Sequence, residues 1–154
     1  MARNRFVMAW LLPALFCIVP FCIPARAQEA TPTYGPRDAI FLAADAAPHT
    51  VPGRFLLLVK ASDRAGTKVY LNSEKDYRDQ RSLNIVIQPG VARALKERYG
   101  EDPDRFFVGK QIMVTGAAKR VRILFVSHGV VTDKYYYQTH VVVSRADQIQ
   151  LQPL

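Results

Sequence analysis

Residues 83–100 read LNIVIQPGVARALKERYG, and the change of period inside this stretch decides the fold. Leu83, Ile85 and Ile87 alternate with Asn84 and Val86, the period of a strand with one face turned inward. Pro89-Gly90 breaks that run. Beyond it the apolar residues fall at Val91, Leu95 and Tyr99, on one side of a helix, with Arg93, Lys96 and Glu97 elsewhere. Gly100 supplies the C-terminal stop. A strand thus leads into one short helix, and no other stretch of residues 28–154 shows a convincing helical period.

Outward from this stretch the chain reads as strands. Phe55-Leu56-Leu57-Leu58-Val59 is an apolar run too short for a typical helix. Asp63-Arg64-Ala65-Gly66 is a turn, and Val69-Tyr70-Leu71 resumes a strand. A polar tip from Asn72 to Ser82 connects it to Leu83. After the helix, Ile112, Val114 and Ala117 begin a fourth strand, with Gly116 marking an expected bulge. Residues 121–131 are apolar and β-branched, and an extra hairpin around His128-Gly129 is expected there. The last strand runs from about Tyr135 to Val143, with Ile149 and Leu151 closing the chain.

The N-terminus predicts export. Arg3 and Arg5 precede an uncharged apolar run, Phe6 to Ile23, and Ala25-Arg26-Ala27 places small residues where a signal peptidase reads them. Cleavage between Ala27 and Gln28 is expected, with the mature chain periplasmic or extracellular. A retained membrane anchor is the rival, but Pro13, Pro20 and Pro24 interrupt the run. Both cysteines, Cys17 and Cys22, lie inside this segment, so residues 28–154 hold neither a disulfide nor a thiol. The whole chain carries 21 Lys and Arg against 13 Asp and Glu, a net charge of +8. The first 27 residues hold Arg3, Arg5, Arg26 and no acid, leaving +5 on one domain's length of chain. That excess suits nucleic acid, lipid headgroups or wall polyanions, or a solvated surface with no partner. Residues 28–52, rich in Ala, Pro and Thr, read as a flexible N-terminal arm, with His49 exposed in it. The folded domain is expected over 53–154.

Three strands, a helix and two strands, with a glycine in strand 4, resemble the OB-fold. VYLNSEKDYRDQRSLNIVI (69–87) is similar to its strand 2 to strand 3 hairpin, GKQIMVTG (109–116) to strand 4, and THVVVSRADQIQL (139–151) to strand 5 and its exit. The resemblance implies an all-β, five-stranded Greek-key barrel with one short helix between strands 3 and 4. The long apolar connection 121–132 departs from the simple pattern, and a β-sandwich or a pleckstrin-like barrel is the alternative. Such barrels bind ligands on the face of strands 2 and 3, flanked by the loops after strands 1 and 4. Here those loops would present Arg64 and Lys68, then Lys119, Arg120, Arg122 and Lys134, with Tyr70, Tyr135 and Tyr137 beside them. Basic groups track phosphates and flat rings stack bases.

No residue pattern points to catalysis. His49, His128 and His140 lack the spacing of zinc ligands; His128 reads as a turn residue and His140 as a strand residue facing solvent. Ser127-His128 lacks the distant acid and oxyanion hole of a triad. Glu74, Asp76 and Asp79 alternate with Lys75, Arg78 and Arg81, which neutralises a calcium site and leaves a solvated charged tip. Neither a metal nor a cofactor is expected. Two non-enzymatic readings follow: an envelope module that recognises a protein partner, taken first, and a module for single-stranded nucleic acid or another polyanion. No stable membrane insertion is expected after cleavage. Of neighbouring Tyr135 and Tyr136, one should face the core.

Overall fold

The structure is a computed structural model that describes residues 31–153. The expected signal segment 1–27, with its two cysteines, lies outside the described residues. In chain order the elements are β1 (Thr33–Tyr34), α1 (Pro36–Asp45), β2 (Val51–Leu58), β3 (Ala61–Ala65), β4 (Lys68–Asn72), β5 (Leu83–Ile87), α2 (Pro89–Tyr99), α3 (Pro103–Phe106), β6 (Gln111–Ser127), β7 (Val130–Val143), a 3-10 turn (Ala146–Gln148) and β8 (Ile149–Gln152). The molecule is mostly β, with eight strands in place of the expected five.

The decisive stretch becomes β5 and α2. Leu83, Ile85 and Ile87 enter the core, and α2 buries Val91 and Leu95 at the predicted spacing. Pro89 opens α2, where its missing N–H costs nothing. Gly100 closes it at φ 76°, a left-handed conformation that favours glycine. Tyr99 stacks on Phe106 of α3, with ring centroids 4.3 Å apart.

The strands hydrogen-bond in the order β1-β2-β6-β7-β5-β4-β3, with β8 added to β6. The β5–β7 pair is parallel; every other pair on the path from β2 to β3 is antiparallel. The ladder itself is open, yet β2 and β3, near its two ends, are consecutive in the chain. Between them Val59 exchanges backbone hydrogen bonds with Gly109 and Lys110 on the β6 side. Lys60 N–H donates to Asn72 C=O on the β4 side. The chain therefore turns a corner there, which the sequence showed only as the end of an apolar run.

Three expectations are corrected. The segment read as a flexible arm contributes β1, α1 and the start of β2. Ala39 and Ala43 of α1 are fully buried in the core, against β2, β5 and β6. The extra hairpin expected at 121–131 is the far end of β6 and β7 themselves, turning at His128 (φ 50°) and Gly129. The bulge lies between Leu124 and Val126 on the β6–β7 ladder and not at Gly116. Gly116 serves close packing, because a Cβ there would stand 2.8 Å from Val141 Cγ1. Among the described residues no helix is long and apolar enough to cross a membrane.

Candidate functional site

The outer face of β4, β5 and β7 carries the polar residues. Strand alternation sends Val69, Leu71, Ile85 and Val141 inward and leaves Tyr70, Asn72, Asn84 and His140 outward. Cross-strand register then aligns Asn72 with Asn84, Asn84 with His140, and His140 with Lys119 of β6. The result is one polar row across four strands.

This row floors a groove of about 320 Å³ lined by Asp63, Arg64, Ala65, Tyr70, Asn72, Tyr77, Asn84, Ile123, Tyr136, Gln138 and His140. The volume is at the small end of small-molecule sites, which run from roughly 300 to 1,000 Å³. Tyr70 meets His140 edge-on, with centroids 6.1 Å apart. The Gln138 side chain donates to Tyr77 C=O at 2.9 Å and to the Tyr136 hydroxyl at 3.2 Å. Those donor bonds fix the amide, so its Oε1 is the atom facing His140 Nε2 at 2.7 Å and accepts from it. One chain of hydrogen bonds therefore ties the tip residue Tyr77 to the groove wall.

Two floor residues are left with hydrogen-bonding capacity. Asn72 and Asn84 are both 1 % exposed. Asn84 Oδ1 accepts from the Ser82 hydroxyl at 2.7 Å, but its Nδ2 has no partner among the described residues, and neither Nδ2 nor Oδ1 of Asn72 has one. Buried amide groups are nearly always satisfied, and an unmet one costs about 1–3 kcal/mol. Both residues belong to the lining of the groove, although the unpartnered atoms are themselves buried.

His140 is a correction to the sequence reading, which set it facing solvent. It points away from the core but is half-covered by its neighbours. Burial, and then the charge of Lys68, lower its pKa from the ordinary 6.5 to about 4. The imidazole is neutral at neutral pH. Because the folded-state pKa is depressed, the unfolded chain binds the extra proton first as pH falls. His140 therefore costs nothing above about pH 6.5, and stability falls progressively between there and pH 4, by about 2–3 kcal/mol. Urea unfolding across that range should show the slope in the native chain and a flatter curve in His140→Gln. Equal curves would sink the assignment.

The sequence-predicted site residues divide between two faces. Tyr70 and Arg64 line the groove, Lys68 is close enough to act on His140, and Lys119 stands opposite His140 on β6. Arg64 is not free, because Asp104 of α3 holds its guanidinium through two bonds of 2.6 and 2.9 Å, with Asp102 at 3.5 Å. Arg120, Arg122, Tyr135 and Tyr137 occupy the opposite face of the hairpin. There Arg120 lies over the Tyr137 ring at 3.8 Å and Arg122 over Tyr135 at 5.5 Å. Arg120 and Tyr137 also border a smaller hollow, about 150 Å³, with Ile40 and Phe41 of α1. Lys134 sits in the bulge. Neither Tyr135 nor Tyr136 is in the core: Tyr135 is exposed and Tyr136 half-buried. The expectation failed because β6 and β7 extend past the other strands, so no core lies beneath that part of the hairpin.

At the charged tip, Arg78 pairs with Asp76 and Arg81 with Asp79. The Arg81 guanidinium and backbone N–H together hold the Asp79 carboxyl down to about 2. Among the described residues no three His, Cys, Asp or Glu side chains group as metal ligands.

No protein-family model and no curated protein matches the chain. Among solved structures it is similar to a chain assigned as an aspartyl-tRNA synthetase from Leishmania major Friedlin, at 11% identity and a TM-score of 0.42, over 84% of this chain and 22% of that one. An aspartyl-tRNA synthetase from Entamoeba histolytica is similar at 13% identity and a TM-score of 0.38, over 73% of this chain and 22% of that one. The chain thus spans about a fifth of the length of these solved chains.

Proposed function

We propose that this chain is an exported, non-enzymatic OB-like module that binds single-stranded nucleic acid in the groove of β4, β5 and β7. The fold half of the proposal is supported by topology. The strand order, the parallel β5–β7 pair, α2 between β5 and β6, and the corner at Val59-Lys60 are what a Greek-key barrel with one bent first strand requires. In that reading β4 and β5 are the ligand strands, flanked by the β3–β4 turn and the β6–β7 hairpin.

One observation carries the ligand half: Asn72 and Asn84, whose buried amide groups lack partners among the described residues, line a groove together with the rings of Tyr70, Tyr77 and Tyr136. A nucleobase matches both features, with a π-face for Tyr70 or Tyr136 and an edge of donors and acceptors for the asparagines. Lys68 and Lys119, exposed beside the groove, supply phosphate contacts. Neutral His140 adds no charge and keeps the floor polar. Of the two non-enzymatic readings, this one has the groove behind it.

The test is fluorescence anisotropy with a labelled oligothymidylate across a salt series. The native chain should bind at low salt and weaken as salt rises. The pair Lys68→Ala and Lys119→Ala should flatten the log–log slope by about 0.7 for each phosphate left without its lysine. Tyr70→Ala should cost about 1–3 kcal/mol with the slope unchanged. No binding at low salt ends the nucleic-acid reading. Export is tested separately by mass spectrometry, which should find a mature chain starting at Gln28.

A further inference from the structure

The far half of the β6–β7 hairpin is unlike the rest of the surface. Val126, Val130 and Val131 are 62, 67 and 59% exposed, and Leu124 and Phe125 are more than two-fifths exposed. Soluble surfaces rarely gather large apolar side chains in this way unless something covers them. Behind this tip the hairpin is basic. Arg122 and Lys134 come first, then Lys119 and Arg120, with Asp133 the single acid between residues 119 and 137.

We propose that this hairpin tip docks on the surface of an anionic lipid bilayer, its apolar end in the interface and its basic collar at the phosphates. The spacing fits. At about 3.3 Å per residue, Arg122 lies roughly 13 Å behind Val126, and Lys134 roughly 10 Å behind Val131. Interfacial elements bury their apolar part about 5–10 Å into the headgroup boundary, which leaves the collar at headgroup depth. The exposed Tyr135 sits at that same level, where amphipathic rings are favoured. The backbone is prepared as well. At the bulge, where the ladder is interrupted, the Thr132 hydroxyl donates to Phe125 C=O at 3.0 Å and accepts from Lys134 N–H at 3.3 Å. Satisfied backbone is what a water-poor interface demands. The charge also selects the occupant. A second copy docked tip to tip would bring two basic collars together, whereas an anionic headgroup layer neutralises one.

The contact is peripheral and adjoins the groove at Lys119 and where Phe125 packs on Tyr136, with ring centroids 5.2 Å apart. The experiment uses the chain from Gln28, which holds no tryptophan because the single Trp is residue 10. Phe125→Trp therefore places one reporter at the tip. With vesicles of phosphatidylcholine and phosphatidylglycerol its emission should shift to the blue, and with phosphatidylcholine alone it should not. Val126→Asp with Val131→Asp should lower the sedimented fraction at least tenfold. Arg122→Gln with Lys134→Gln should remove its salt dependence. An unchanged far-ultraviolet circular dichroism spectrum and urea midpoint in each variant report that the fold is intact. Equal partition to both vesicle types, an unshifted emission, or unchanged binding after the Val→Asp changes would overturn the proposal. So would release from the vesicles by oligothymidylate, which would place the lipid in the groove.

Discussion

Ala43→Asp should destabilise the fold by about 3 kcal/mol, read as a lower urea midpoint with little change in slope. Ala43 and Ala39 stand one helical turn apart on α1 and are fully buried in the core. Their surroundings in that core are apolar, so a carboxylate there is buried unpaired or pushes α1 off the sheet. The second route is the cheaper, and it caps the loss at the docking energy of α1. A flexible arm predicts a change within about 0.5 kcal/mol, the range of ordinary surface substitutions. Phe41→Asp is the control, since Phe41 is on the same helix and 58% exposed. Equal, negligible effects at both positions would remove α1 from the core.

The same helix shows why part of the fold was hidden in the sequence. Its inward residues are two alanines, while the large apolar residues Phe41 and Leu42 point outward. A hydrophobic period read from large side chains passes over such a helix, and Pro and Thr nearby suggest a linker. The stretch 83–100 is the opposite case. Large residues mark each inward position, so the switch from strand to helix is visible without the structure. The β2–β3 pair is intermediate. Its apolar half, β2, was legible, but β3 reads ASDRA, which has the composition of a turn. It is a strand because each of its residues pairs in register with β4.

The candidate site divides in the same physical way. Alternation is enough to place Tyr70, Asn72 and Asn84 on one face, yet only cross-strand register sets them beside His140, far along the chain on β7. Charge pairing is equally invisible in sequence. Arg64 reads as a free cation until α3 brings Asp104 to it. The basic and aromatic residues at 119–137 were visible as a group. Their division between two faces was not, because it depends on how far β6 and β7 extend past the core.

Asn72→Leu should make the protein more stable and less able to bind. Truncating or changing a buried residue ordinarily destabilises, so the sign is the test. Asn72 holds an unpaired donor and an unpaired acceptor at 1 % exposure, and each unmet group costs about 1–3 kcal/mol. Leucine has nearly the same shape and no polar atom. Its introduction should raise the unfolding free energy by about 1–3 kcal/mol, measured by urea denaturation. Oligothymidylate affinity should fall about tenfold or more, since a good pair of hydrogen bonds to a base edge is worth about 1–3 kcal/mol. Asn84 supplies the contrast. Its Oδ1 holds the Ser82 hydroxyl, so Asn84→Leu strands that buried group and should gain no stability while weakening binding by the same factor. A native amide kept at a cost to the fold is expected where function uses it. If Asn72→Leu instead destabilises the chain and leaves binding intact, the amide is structural and the groove floor is not the recognition surface.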